Sequence, residues 1–469
     1  MIDRNVMQRS VPKTREGWGS KLGFILAAAG SAIGLGNIWR FPYTAGEGGG
    51  AVFVLIYLVF VVFLGFPVMV SEITIGRHAQ RSTVGAYRSI NGGRLWQGVG
   101  GLGVITGIMI LSYYGVIAGW TVGYVVKVVM GQFAGGVDGE STLSIFSGYV
   151  SNPLWSLVGL FGFIALTTVV VLGGIKKGIE RLSKILMPIL LSLLVLVVIR
   201  SVTLPGAGRG IAFYLWPDFS RLSGEVLMEA LGQAFFSLSL GMGVMITYGS
   251  YISKKEDIVT SAAWVCAFDS SIAFMAGLAI FPALFAIGLD PAQGPGLIFV
   301  VLPCVFDSIP LGQVFGFTFF LLLIMAALTS TISLLEVVTS YFVDERGMSR
   351  PAGALLAATL SFLVGIPSAL STGSVGTLTK MLAIGGEDKS FLDLMDLMFG
   401  NFSLVIGALF ISVFTGWVWR RAEVLKELET GGRTPVWFMK VIYGVIRYLC
   451  PIGIFVLLLN LVLSLVRGG

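Results

Sequence analysis

The chain has 469 residues, of which 55% are hydrophobic and only 12% charged, and its 31 Lys and Arg against 25 Asp and Glu leave a formal charge of +6. A mean hydropathy of +0.90 is more apolar surface than a water-soluble core can hide, so a soluble globular protein is excluded and the chain is an integral membrane protein. Its apolar runs reach the roughly 20 residues that cross a hydrocarbon core of about 30 Å, which also excludes an outer-membrane barrel built from strands of about 10 residues with alternating polarity.

The opening seventeen residues are polar and basic, and the apolar segment after them is too long for a signal-peptide core, so it reads as a retained first helix. Eleven spans are expected, near 21–43, 50–76, 97–131, 157–173, 180–200, 226–250, 257–288, 311–343, 352–370, 391–419 and 436–466. The first holds "AAAGSAIGLGNIWRFP" at 27–42, an apolar stretch that nevertheless carries Ser31, Gly30, Gly34, Gly36, Asn37 and Arg40. A GxxxG helix contact accounts for Gly30 and Gly34. It leaves Asn37 and Arg40 unexplained, because a charged group at mid-membrane costs about 2.5–3.5 kcal/mol and close packing needs neither residue. A dinucleotide fingerprint fails, since Trp39 stands at the third glycine position and no βαβ pattern surrounds it. The functional alternative is a helix unwound around Gly34 to Gly36. Its freed carbonyls bind a cation and its exposed amides an anionic group, an arrangement tolerated at membrane depth only when buried in protein or lining a cavity. Sodium favours oxygen ligands, and Asn37 offers one.

Further along, Glu72 is an acid in the second span, and "LSYYGVIAGW" places Tyr114 in the third, where core packing is the competing reading. The sixth span, "GQAFFSLSLGMGVMITYGSY", is again interrupted, with Gly241 and Gly243 flanking Met242. Paired glycine-broken spans in matching positions of two halves signal an inverted repeat with a site at the bilayer midplane, as in LeuT-type transporters. In the seventh span Asp269 has no Lys or Arg nearby in "WVCAFDSSIAFMAGL", so its carboxylate calls for a cation or a proton. The connection at 289–310 reads as an external loop with a short helix, a lid or a passive connector. Thr329 and Ser330 in the eighth span either face a ligand or bond back to their own helix.

Arg4, Arg9, Lys13, Arg15 and Lys21 precede the first span, and the even-numbered connections carry most of the remaining basic residues. The opposite side holds few, among them Arg200, Arg209, Arg221, Lys389 and Arg467. This asymmetry puts the N-terminus in the cytoplasm and, with eleven spans, the C-terminus outside. It also accounts for the positive charge, so no nucleic-acid partner is needed, and the basic loops face lipid. Cys266, Cys304 and Cys450 lack metal-type spacing and form no expected disulfide framework. With no soluble domain between the spans, residues 1–469 form a single transmembrane domain, with one repeat over about 21–200, a second over about 226–419 and an extra helix over about 436–466.

Three motifs carry a family resemblance: "GSAIGLGNIWRFPYTAGEGGGA" from residue 30, "GQAFFSLSLGMG" at 232–243 and "ALTSTISLLE" at 327–336. In this order they resemble the neurotransmitter:sodium symporters, and the chain is similar to the bacterial eleven-helix, LeuT-like amino-acid transporters. The resemblance implies an all-α membrane protein with the LeuT fold, a 5+5 inverted repeat with helices 1 and 6 broken. It implies transport of an amino acid or derived amine with Na+ at two sites, by alternating access in the plasma (inner) membrane, with no obligatory protein partner. One sodium would bind the Ala32 carbonyl, Asn37, Ser237, Asp269 and the substrate carboxylate. The other would bind the carbonyls of Gly30, Ile33 and Ala326 and the hydroxyls of Thr329 and Ser330. The substrate would be lined by Ile110, Tyr114, Phe236, Ser239, Met242 and Leu334. Tyr114 and the amides of Leu35 and Gly36 would meet its carboxylate, and the carbonyls of Ala32, Phe236 and Ser237 its amine. Arg40 with Asp396 resembles the outer gate and Arg15 with Asp344 the inner one, beside Trp18. The family places Glu72 near the broken part of helix 6, and Glu336 has no assigned role.

Asp269 departs from the family's usual Asn, and relatives that need chloride hold it near positions matching Tyr57, Gln233 and Ser237. A fixed carboxylate there replaces the anion, so chloride independence is expected, with proton exchange at Asp269 as an antiport component. Gly34 stands where monoamine carriers have an acid, which favours a hydrophobic or aromatic L-amino acid. An enzyme is disfavoured, since the single His78 lies outside any cluster and no nucleophile has a base one turn away. The alternatives are a channel or a non-transporting sensor of the same fold.

Overall fold

In the computed structural model, residues 15–90, 93–291, 294–384 and 387–467 are described; Arg4, Arg9 and Lys13 lie outside the described residues. Nine continuous helices among them are long and apolar enough to cross a membrane. They are span 2 (Ala51–Ala79), span 3 (Arg94–Val129), span 4 (Pro153–Leu172), span 5 (Ile175–Val202), span 7 (Ile258–Ala286), span 8 (Gly312–Arg346), span 9 (Arg350–Leu370), span 10 (Phe391–Val418) and span 11 (Val436–Leu463). Span 1 is a bent pair, Lys21–Ala32 and Gly36–Glu47, turning by 51° at the break. Span 6 is also interrupted, between Gly224–Ser237 and Val244–Gly249.

Local chemistry explains both breaks. Ser20 starts span 1 by accepting the Gly23 amide at 3.0 Å, and the helix stops where Ile33 turns extended with φ −72° and ψ 103°. In span 6 the connecting residues include Gly241 at φ 87° and Gly243 at φ 76°, and Ser239 also holds a positive φ of 53°. A left-handed conformation is natural for glycine but costs energy at serine, so Ser239 is held there by its surroundings.

Span 8 forms the axis of the molecule, with 89% of its apolar window buried, whereas spans 5 and 11 bury only 28% and 22% and face lipid. Spans 1, 3 and 9 pack around span 8. The connections carry short helices at Gly139–Val150, Ala207–Leu215, Val301–Asp307 and Arg421–Glu429. The only strands among the described residues form a hairpin in which Leu382–Ile384 pairs antiparallel with Glu387–Lys389. Cys266, Cys304 and Cys450 are buried free thiols.

The helix Arg421–Glu429 is locked to the end of span 2 by a buried charge cluster. Arg77 is fully buried and donates to the Glu427 carboxylate at 2.7 Å, to the Glu256 carbonyl at 2.6 Å and to the Glu427 carbonyl. Lys254 reaches both Glu427 oxygens at 2.9 Å, and His78 Nδ1 lies 3.1 Å from Oε2. Burial alone would raise the Glu427 pKa, but His78, Lys254 and Arg77 outweigh it and pull the group down to about 2. A depressed acid contributes stability that is present above its unfolded pKa of about 4.3 and is lost only as pH falls toward the folded value. Glu427→Gln leaves the buried Arg77 charge without its counter-ion, a loss of about 3–5 kcal/mol. Near neutral pH we expect a clearly lower melting temperature for this variant, read by thermal unfolding of the purified protein.

Candidate functional site

The two breaks touch, Ser239 Oγ lying 3.2 Å from the Ser31 carbonyl, and residues of spans 3 and 8 line the same cavity beside them. At the first, Gly34 leaves no room for a side chain, since an added Cβ would sit 2.7 Å from the Tyr114 hydroxyl and closer still to Ser330 Oγ. The freed Leu35 amide donates to the Tyr114 hydroxyl at 2.8 Å. An unwound amide is thereby satisfied by a side chain from span 3, which keeps irregular backbone tolerable inside the membrane. At the second break the Gly241 amide donates to Glu72 Oε1 at 2.7 Å, so the acid in span 2 answers the same need there.

Beyond the first break, Asn37, Ser237 and Asp269 meet in one buried cluster. Asp269 is fully buried and accepts from Asn37 Nδ2 at 2.7 Å, Ser237 Oγ at 2.7 Å and the Tyr57 hydroxyl at 3.2 Å. Asn37 Nδ2 also lies 2.9 Å from Ser237 Oγ, while its Oδ1 accepts the Gly34 amide at 3.1 Å. Gln233 sits alongside, donating to the Gly36 carbonyl at 2.8 Å with its own Oε1 unpartnered. These polar atoms come from spans 1, 2, 6 and 7, and among the described residues the Asp269 carboxylate pairs with no basic side chain.

A second oxygen-rich cluster joins span 1 to span 8. The Ser330 hydroxyl lies 3.1 Å from the Ser31 carbonyl and 3.4 Å from that of Ile33; Thr329 Oγ1 lies 3.4 Å from the Ile33 carbonyl and 2.9 Å from that of Ala326. Thr329 thus both bonds back to its own helix and faces span 1. Gly30 abuts it, with an added Cβ falling 3.3 Å from Thr329 Cβ.

Between the clusters lies a cavity of about 30 Å³ lined by Ile110, Tyr114, Phe236, Ser239, Met242 and Leu334, and by Ala32, Gly34 and Gly36 of the first break. Ser31 and Ser333 also line it, tied by a 2.6 Å hydrogen bond; the sequence reading gave these two no place in the lining. A larger cavity of about 270 Å³ adjoins it, and Gly36, Tyr114 and Phe236 line both. Those three residues are the partition between the two spaces.

A model of the sodium:neurotransmitter symporter family matches residues 15–136 and 147–466. This chain belongs to that family. An uncharacterized sodium-dependent transporter of Bacillus subtilis, YhdH, is 40% identical over 445 residues, covering 95% of this chain and 97% of its own. The sodium- and chloride-dependent GABA transporter 2 of Mus musculus is 27% identical over 408 residues, covering 75% of this chain and 67% of its own. Among solved structures, MhsT in complex with L-phenylalanine superposes with a TM-score of 0.87 at 44% identity, covering 95% of this chain and 100% of that one. The family is one of sodium-dependent transporters, so the chain is a multi-pass membrane transporter of LeuT fold coupled to Na+.

The charged residues flanking the transporter's cavity are arranged differently at its two ends. On the N-terminal side, Arg15 pairs directly with Asp344, donates to Ser250 Oγ at 2.8 Å and lies over the Tyr251 ring at 4.6 Å. Trp18 closes the same region by donating to the Tyr248 carbonyl at 3.0 Å. Glu336, to which the sequence assigned no role, accepts from Tyr251 at 2.7 Å and from both Arg350 nitrogens at 3.1 and 2.5 Å. At the other end Arg40 and Asp396 form no direct ion pair. Arg40 donates to Asn401 Oδ1 at 2.9 Å, and Asn401 Nδ2 turns to the Asp396 carbonyl at 3.2 Å, while Asp396 Oδ1 accepts from Tyr113 at 2.9 Å. The expected pair is therefore bridged by Asn401, a residue whose only sequence signal was an amide inside an apolar span. Arg40 also lies 4.4 Å from the centroid of the Phe236 ring, over the partition.

Proposed function

We propose that this transporter carries a hydrophobic or aromatic L-amino acid together with sodium, by alternating access and without a need for chloride. The observation that carries the reading is the fully buried Asp269 carboxylate, held by Asn37, Ser237 and Tyr57 with no basic partner among the described residues, while Gly36 and Phe236, the chain neighbours of Asn37 and Ser237, line the central cavity with Ile110, Met242 and Leu334. A buried charge without a counter-ion is expensive. Sodium supplies that counter-ion, with Ala32, Asn37, Ser237 and Asp269 as its ligands. In chloride-dependent relatives an anion would do the same electrostatic work from outside the chain, and here Tyr57, Gln233 and Ser237 surround a fixed carboxylate instead.

A second sodium is assigned to Gly30, Ile33, Ala326, Thr329 and Ser330, where carbonyls and hydroxyls provide the hard oxygen donors that it favours. The substrate carboxylate meets Tyr114 and the amides of Leu35 and Gly36, and its amine the carbonyls of Ala32, Phe236 and Ser237. Its side chain lies among Ile110, Phe236, Met242 and Leu334. The L-phenylalanine bound by the neighbour MhsT supports an apolar side chain, and the pliable Met242 accepts several. Because the substrate carboxylate also touches the first sodium, each ligand raises the affinity for the other by the same factor. Phe236 with Arg40 and Asp396 closes the outer path, and Arg15 with Asp344 the inner one. The bias of the basic residues supports an N-terminus in the cytoplasm and a C-terminus outside the plasma membrane, and we assign the repeats to about 21–200 and 226–419 and the extra helix to about 436–466.

The test is uptake of a panel of radiolabelled L-amino acids into proteoliposomes under an inward sodium gradient, repeated with potassium and with chloride removed. Sodium-dependent accumulation of an apolar or aromatic amino acid that ignores chloride supports the proposal. Absence of accumulation under every gradient overturns it in favour of a sensor. Tyr114→Phe should weaken affinity for that amino acid by roughly 10–100-fold, because a hydrogen bond to a charged group is worth about 1.5–3 kcal/mol and the Leu35 amide also loses its partner. Equilibrium binding of the substrate in saturating sodium measures this directly.

A further inference from the structure

Apart from the central site, spans 3 and 4 enclose a groove of about 570 Å³ on the lipid-facing side of the molecule. Span 3 forms one wall from Gly119 to Met130 and span 4 the other from Trp155 to Leu166, each at the three- and four-residue spacing of a single helix face. At a rise of 1.5 Å per residue such a wall is about 16 Å long. That is about half of a hydrocarbon core of about 30 Å, so the groove runs the depth of one leaflet.

The glycines lining it have different causes. Gly119 and Gly159 let the two backbones touch, since a Cβ on Gly119 would lie 2.7 Å from the Gly159 carbonyl carbon. Gly123 makes way for the Tyr149 ring. Gly162 has no such reason, because a Cβ added there meets nothing within 4 Å. A glycine inside a helix costs about 1 kcal/mol relative to alanine, and here the vacated space is not filled by protein. The lining is apolar except at the end where the two spans connect. There Lys127, held by Gln132 Oε1 at 2.9 Å and lying 5.2 Å from the Tyr149 ring centroid, shares the mouth with the exposed Trp155. No carboxylate is among the lining residues, so the groove carries one positive charge at headgroup depth. An apolar trough one leaflet long with a cation at its rim is complementary to a single lipid molecule: chain along the trough, phosphate on the ammonium.

We propose that this groove holds an acyl chain of an anionic phospholipid whose phosphate is bound by Lys127. The experiment reconstitutes the full chain in nanodiscs of equal phosphatidylcholine and phosphatidylglycerol, and reads the lipid retained after release into the gas phase by native mass spectrometry. Wild type should retain phosphatidylglycerol over phosphatidylcholine by about fivefold, the preference conferred by one lysine near a membrane surface. Lys127→Gln should retain lipid without preference, and Lys127→Arg should keep the preference. Gly162→Phe, placed in open space, should fill the trough and lose the retained lipid of either type while eluting as a folded monodisperse protein. Retention by wild type without headgroup preference, undiminished preference in Lys127→Gln, or undiminished retention in Gly162→Phe would each overturn the proposal.

Discussion

Replacing Asp269 by asparagine is expected to turn uptake that ignores chloride into uptake that needs it. The carboxylate accepts three hydrogen bonds, from Asn37, Ser237 and Tyr57, and is buried from solvent. Removing its charge while keeping its shape leaves these donors nearly in place but strips the proposed sodium site of its negative charge. The charged contribution lost is about 1.5–3 kcal/mol, or roughly 10–100-fold in sodium affinity at about 1.4 kcal/mol per decade. Chloride beside Tyr57 and Gln233 restores part of that loss, so the variant's uptake should rise on adding chloride while that of wild type does not change. On the proposed assignment a proton competes with sodium for the same carboxylate. The sodium concentration for half-maximal uptake should therefore rise as pH falls in wild type and respond less in Asp269→Asn. Wild-type uptake that requires chloride, or a variant indifferent to it, would contradict the role assigned to Asp269.

How far the site is legible in the sequence depends on whether a residue violates the rule of its own segment. Gly34, Asn37 and Arg40 stand out because lipid-facing helices need none of them, and the bend between Ala32 and Gly36 lies among them. Asp269 stands out as an acid without a nearby base. Asn401 does not, because one amide in an apolar span has many uses, and its bridging role depends on how span 10 lies against span 1. Glu336 signals a need for a cation, yet its partner Arg350 sits fourteen residues away across the turn between spans 8 and 9. Ser31 and Ser333 look like hydroxyls bonding back to their own helices, and only the packing of span 1 on span 8 brings them together. The helix around Glu427, "RAEVLKELE", is mostly charged, and nothing in it signals that this carboxylate is enclosed by Arg77, Lys254 and His78. In each case the missing information is a distance between segments, which composition and spacing do not contain.

Gly34→Ala should reduce uptake by about 100-fold, the order of loss that follows when reacting or binding groups are displaced by about 1 Å. The new methyl would lie 2.7 Å from the Tyr114 hydroxyl and would also overlap Ser330 Oγ. Neither hydroxyl is idle: Tyr114 satisfies the Leu35 amide, and Ser330 reaches the Ser31 carbonyl at the junction of spans 1 and 8. The cavity of about 30 Å³ has no slack to absorb the insertion, so either span 1 shifts from span 8 or both hydroxyls swing away. Overpacking of this kind costs about 1–3 kcal/mol, small enough for the variant to fold, so its melting temperature and its transport separate the two effects. Combining Gly34→Ala with Tyr114→Phe removes one of the colliding atoms. The double variant should then transport better than the product of the single losses, with a coupling of about 0.5–3 kcal/mol. Strict additivity would mean that the methyl acts elsewhere, and wild-type uptake by Gly34→Ala would mean that the break in span 1 is not where substrate binds.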